Sequence, residues 1–267
     1  MYKHVYDSLK YLYDKGGVIY LYADPHFSDY ESYKFRGWDK KYFGEFLDIY
    51  NKKHKISDDI LYSDDFYLGN EEFISEFMEY LDGIQIKNIN SKCGKNDCLI
   101  LLGDVGEPSR VAKLKAGYKV LLLGNHDKGA SVYMRDYGKS HFEEVVLEEY
   151  GDGIKHYDYK KVIDVKDNHL FDEVYEGPLM INDRVILSHE PIMGLPNCLF
   201  NIHGHTHSNS IEDGYHMNVC MEAINGIPVN FTKLMHDGSI KHVESIHRTT
   251  IDKATARKEK KLAKNKK

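Results

Sequence analysis

The chain has 267 residues, a net charge of −6, 42% hydrophobic residues and 12% aromatic residues, including 21 tyrosines. That length supports one sizeable α/β domain with a substantial core, and the composition excludes an intrinsically disordered chain. No apolar run approaches the roughly 20 residues of a membrane helix, and the N-terminus lacks the apolar core of a signal peptide, so a soluble, cytoplasmic protein is expected.

Five short apolar runs recur along the chain, and each runs into a polar cluster. Val18–Tyr22 leads to Asp24-Pro-His26, Cys98–Leu102 to Gly103-Asp104, and Val120–Leu123 to Gly124-Asn-His-Asp127. Val185–Leu187 leads to Ser188-His189, and Leu199–Ile202 to Gly204-His-Thr-His207. Runs of this length, rich in Val, Ile and Leu, predict strands covered on both faces.

Between the runs lie helix-compatible stretches. Residues 71–81 place Phe73, Ile74, Phe77, Met78 and Leu81 on one helical stripe, and residues 141–150 carry a weaker one. Residues 28–75 are aromatic and charged, and read as a loop–helix insertion over the site. Asn182-Asp183 predicts a hairpin turn. Segments 215–220, 227–231 and 240–246 read as strands of a second, mixed sheet.

Residues 253–267 hold eight Lys/Arg against Glu259, a net +7 that leaves −13 on the rest of the chain. This basic tail is expected to be flexible beyond a single domain of residues 1–252, and it offers a means of attracting nucleic acid. Cys93, Cys98, Cys198 and Cys220 form no disulfide or zinc-finger spacing and are expected to be reduced.

Ligands of open α/β sheets collect at the carboxyl ends of strands. Five such loops would bring together Asp24, His26, Asp104, Asn125, His189, His205 and His207. Oxygen and imidazole donors without thiolate suit Mn first, with Fe, Zn or Ni as alternatives. Seven ligands exceed the needs of one ion, so two divalent ions are the natural reading.

In this order the elements resemble the calcineurin-like metallophosphoesterase superfamily over roughly residues 18–231. Within it, Asp24-Pro-His-Phe27 is similar to the first motif of small bacterial and phage phosphoesterases. The resemblance implies a four-layer αββα sandwich with two mixed sheets flanked by helices. It implies that Asp24, His26 and His207 hold one metal, that Asn125, His189 and His205 hold the other, and that Asp104 bridges them. Hydroxide between the metals would attack phosphorus, His126 would protonate the leaving group, and Asp127 would orient His126.

Gly103-Asp-Val-Gly-Glu107 lacks the GDxxD ending frequent in the superfamily and the following Arg-Gly of Ser/Thr protein phosphatases, which argues against a protein phosphatase. Asp29 stands where the Asp-x-His-Phe group often has a histidine. Arg36 is a candidate phosphate clamp, because a guanidinium binds phosphate bidentately. The expected function is hydrolysis of a small, nucleotide-like phosphodiester or phosphomonoester. The alternatives are a metal-dependent nuclease using the basic tail and a non-catalytic scaffold of the same fold.

Overall fold

The computed structural model describes residues 17–56, 67, 69–128, 133, 140–149, 155–163, 170–181, 184–197 and 199–240. The basic tail, Asn182-Asp183, Cys198 and segment 241–246 lie outside the described residues. The fold is α/β, with two mixed sheets and helices.

The first sheet has the order β11-β1-β2-β3-β6. Its members are β1 (Ile19–Tyr22), β2 (Cys98–Leu102), β3 (Tyr118–Leu122), β6 (Glu173–Tyr175) and β11 (Val229–Asn230). β1, β2, β3 and β6 run parallel, and β11 joins antiparallel beside β1. The second sheet has the order β10-β9-β8-β7. It is built from β7 (Leu179–Met180), β8 (Val185–Ser188), β9 (Phe200–His203) and β10 (His216–Asn218). Here β8, β9 and β10 are parallel, and β7 folds back antiparallel on β8, as a hairpin requires.

Strand alternation divides the core in two. Leu21, Cys98, Ile100, Leu102, Val120 and Leu122 pack with Val185, Leu187, Phe200 and Ile202 of the second sheet. Tyr22, Leu99, Leu101 and Leu121 point the other way, toward helices α2 (Trp38–His54) and α3 (Glu71–Lys92). Period-two geometry thus gives each central strand two buried faces, which explains its continuous apolar run.

The aromatic segment after the first polar cluster folds as α1 (Tyr30–Phe35) and α2. Phe46 stacks on Phe77 of α3 with ring centroids 5.0 Å apart, and Phe73 packs edge-on to Tyr50 at 4.9 Å. Trp38 is buried beside Tyr42 and packs this layer. Asn70 caps α3 by accepting from the N–H groups of Glu72 and Phe73.

Three sequence expectations are corrected. Residues 141–150 are not helical: β4 (Ser140–Glu149) pairs antiparallel with β5 (Lys155–Ile163). Adjacent β-branched Val145 and Val146 disfavour a helix, and the antiparallel ladder with β5 satisfies the backbone instead. Segment 227–231 adds its strand to the first sheet, not the second. Helix α3 runs on to Lys92, beyond residue 81, because its buried face continues through the polar residues Asp82 and Gln85 to Ile89.

Candidate metal centre

The five polar clusters follow β1, β2, β3, β8 and β9 directly. Backbone hydrogen bonds tie the loops together. Asp24 N–H donates to Gly103 O at 3.1 Å, His26 N–H to Asp104 O at 3.0 Å, and Gly204 N–H to His189 O at 2.9 Å. Loops far apart in sequence therefore meet at one point.

Asp24, His26 and Asp104 offer ligand atoms within 4.8 Å of one another, and so do Asp104, His189 and His205. Asp104 belongs to both groups. Its Oδ2 lies 3.3 Å from His26 Nε2 and 3.4 Å from His189 Nε2. Asn125 Oδ1 lies 2.8 Å from His189 Nε2 and 3.0 Å from His205 Nδ1. His207 clusters with Asp24 and Cys220. All seven candidate ligands thus converge.

These residues fit cations better than they fit each other. Asp24 Oδ1, His26 Nε2 and His207 Nδ1 are buried without a hydrogen-bond partner among the described residues, and His26 Nε2 and His207 Nδ1 have only the carboxylates of Asp104 at 3.3 Å and Glu222 at 3.8 Å nearby. Such orphaned polar atoms are costly unless something else coordinates them. The histidines are also turned for ligation. His189 Nδ1 donates to Leu102 O at 2.8 Å, so its Nε2 lone pair faces the centre. His26 Nδ1 lies 3.1 Å from Ser32 Oγ and 3.3 Å from Asp29 Oδ2, which leaves Nε2 inward. Burial, with the Arg36 charge, holds the His207 ring down to about 4, so it is a neutral donor near pH 7. Burial pushes Asp104 up, but neighbouring His26 and His189 and the His126 N–H outweigh it and hold the carboxyl at about 2.

The backbone is strained where the ligands sit. Asp24, His26, Asp104, His205 and His207 have φ of 56°, 42°, 51°, 66° and 53°. Left-handed geometry is uncommon for such residues and costs roughly 1–3 kcal/mol each where it is strained. Glycines make the close approach possible. A Cβ on Gly124 would lie 2.2 Å from Asp104 Oδ1, and one on Gly204 2.4 Å from Asp24 Oδ2.

His126 is exposed, its ring 5.5 Å from that of His26, and its N–H donates to Asp104 Oδ1 at 2.9 Å. Asp127 does not stand behind it. Its carboxylate accepts from the N–H groups of Asp104 at 2.9 Å, Val105 at 3.0 Å and Gly124 at 2.8 Å, and from the Tyr133 hydroxyl. Asp127 therefore joins the β2 and β3 loops; the orienting role is corrected because both its oxygens are engaged.

Arg36 is corrected as well. Its side chain is 2% exposed, Nη1 donates to Asp24 O at 2.8 Å, and Nε pairs with Glu222 Oε1 at 2.9 Å. It braces the first loop instead of reaching toward a substrate phosphate. Arg36→Ala is expected to cost about 3 kcal/mol of folding stability by stranding buried Glu222, measured by urea denaturation. A variant of unchanged stability with only a raised KM would restore the clamp.

Several residues here escaped the sequence reading. Cys220 donates its thiol to Asp24 Oδ2 at 3.2 Å, and burial pushes the thiol up, so it stays protonated. Asp82 accepts from Ser28 N–H at 2.9 Å, the Ser28 hydroxyl at 2.7 Å and the Tyr33 hydroxyl at 2.6 Å, and pairs with Arg110 Nε at 2.8 Å. Gln85 donates to Pro25 O at 2.8 Å. Helix α3 thereby holds the loop that carries Asp24 and His26. The available signal was two polar residues on an apolar helical stripe.

Asp29 stands behind His26 as carboxylates do behind metal-ligating histidines. Asp29→Asn is expected to weaken metal binding about 10–100-fold, measured by titration with a chelator-buffered Mn²⁺ series. Unchanged affinity would show that Ser32 alone orients the ring.

No family model matches the sequence, and no curated protein matches it. Among solved structures, the crystal structure of the protein of unknown function AQ665 from Aquifex aeolicus is similar, with a TM-score of 0.45 and 16% identity. The match covers 82% of this chain and 98% of that chain.

Proposed function

We propose that the chain is a two-metal phosphoesterase of the calcineurin-like type, acting on a small, nucleotide-like phosphate ester. The observation that carries this reading is Asp104: one buried carboxylate shared by two adjacent groups of oxygen and imidazole donors. Mononuclear sites need no shared carboxylate and fewer donors. The packing of α2 and α3 on one face of the first sheet and of the second sheet on the other supports this reading.

Asp24, His26 and His207 would hold one ion, Asn125, His189 and His205 the other, and Asp104 both. Two divalent ions, Mn²⁺ foremost given the mixed donor set, would supply Lewis acidity and a water of lowered pKa. His126, exposed beside the centre, would give its proton to the leaving oxygen. Asp127 and Asp82 would keep the ligand loops in place while charge develops.

The test is hydrolysis of bis-p-nitrophenyl phosphate with added Mn²⁺, alongside metal analysis of the purified chain. Turnover that needs metal and tracks two ions per chain is expected. Inactivity across Mn, Fe, Zn and Ni, with no bound metal, would leave a scaffold.

A further inference from the structure

A cleft of about 310 Å³ opens beside the candidate metal centre, and Asn125 and His189 are among the residues that line it. Its lining divides sharply by chemistry. Leu122, Leu123, Pro178, Pro191 and Ile192 are apolar, whereas Glu176 and Glu190 bring two exposed carboxylates. Among the described residues, neither side chain has a hydrogen-bond or ion-pair partner. Among the described residues, no lysine or arginine lines the cleft.

The volume is at the lower end of the range for small-molecule sites, which fits a single small organic group. The two carboxylates oppose an anionic continuation of the substrate: a second phosphate would meet like charge. They accept hydrogen bonds, so they suit a group that donates. An ammonium would use the carboxylates but leave the five apolar residues uncovered. A ribonucleoside satisfies both parts, with its base on the apolar residues and its vicinal hydroxyls on the carboxylates, the pairing by which acidic side chains hold ribose elsewhere.

Building on the phosphoesterase reading, we propose that this cleft binds the organic group of the ester, that this group is an uncharged ribonucleoside, and that Glu176 and Glu190 read its sugar hydroxyls. Specificity then lies with small nucleoside esters and against polynucleotides.

Binding tests this without any need for turnover. Uridine and 2′,3′-dideoxyuridine are titrated into the full chain with Mn²⁺ present, and into the Glu176→Gln/Glu190→Gln variant, by isothermal calorimetry or NMR. Wild-type chain should bind uridine about tenfold more tightly than the dideoxy analogue, and the variant should lose that difference. Equal binding of the two nucleosides, a difference that survives in the variant, or binding of ethanolamine in place of uridine would each overturn the proposal. Wild-type hydrolysis of methyl p-nitrophenyl phosphate reports on the parent reading separately. Turnover without uridine discrimination sinks the cleft proposal alone. Uridine discrimination without turnover sinks the phosphoesterase reading and leaves Glu176 and Glu190 as a nucleoside-binding site only.

Discussion

Asp104→Asn is expected to abolish binding of both metals and to lower turnover by at least about 10³-fold. The reasoning starts from position. Asp104 follows a fully buried strand, and its carboxylate lies between His26 and His189. Its Oδ2 is the atom near both imidazoles, while Oδ1 accepts from the His126 N–H. Asparagine keeps the shape and removes the charge. One side of the amide also becomes a donor, which no cation tolerates as a ligand. Metal ions stabilise several kcal/mol of transition-state charge, and each 1.36 kcal/mol is tenfold in rate, hence the expected magnitude. Metal analysis after dialysis and steady-state kinetics with added Mn²⁺ check it. A variant that keeps two ions and full rate would remove Asp104 from the centre.

His126→Ala is expected to behave differently: both metals stay, and kcat falls about 10²–10⁴-fold, the usual contribution of a general acid. The imidazole is solvent-exposed and near His26, so its loss opens no cavity. Its backbone N–H, which serves Asp104, survives the substitution. The deficit should shrink for esters with good leaving groups such as p-nitrophenolate, because these need no proton. Comparing p-nitrophenyl with alkyl esters makes the role visible. A uniform loss across leaving groups, or a fall in metal content, would assign His126 to structure instead.

The strands and their polar loops were legible because both faces of each central strand are buried, so the apolar runs were unbroken. The seven donors were legible because each follows such a run. What sequence could not convey was which donors are engaged elsewhere. Asp127 and Arg36 have the right chemistry for catalysis and phosphate binding, yet backbone N–H groups, Glu222 and the Asp24 carbonyl occupy them. Residues 141–150 carried a helical pattern because Glu and Leu favour helices, and pairing of β4 with a partner strand overrode that local preference. Asp82 and Gln85 interrupted the apolar stripe of α3 and hid half the helix, although they are what binds the helix to the first loop.

Backbone strain gathers at the centre, although Ser28, Lys55 and Asn225 also take positive φ. Asp24, His26, Asp104, His205 and His207 all take left-handed backbone conformations, and each sits among the candidate ligands. Local geometry of this kind persists only where surrounding contacts enforce it. Here the enforcement comes from the Asp127 clamp, the pair of buried Asp82 with half-buried Arg110 and the interloop backbone hydrogen bonds.

Crystals grown with Mn²⁺ and measured for anomalous scattering at the manganese edge give the most direct answer. Two peaks about 3.5–4 Å apart are expected, with Asp104 touching both, Asp24, His26 and His207 on one, and Asn125, His189 and His205 on the other. A single peak, or a pair of ions bound away from Asp104, would contradict the two-metal centre and the activity inferred from it.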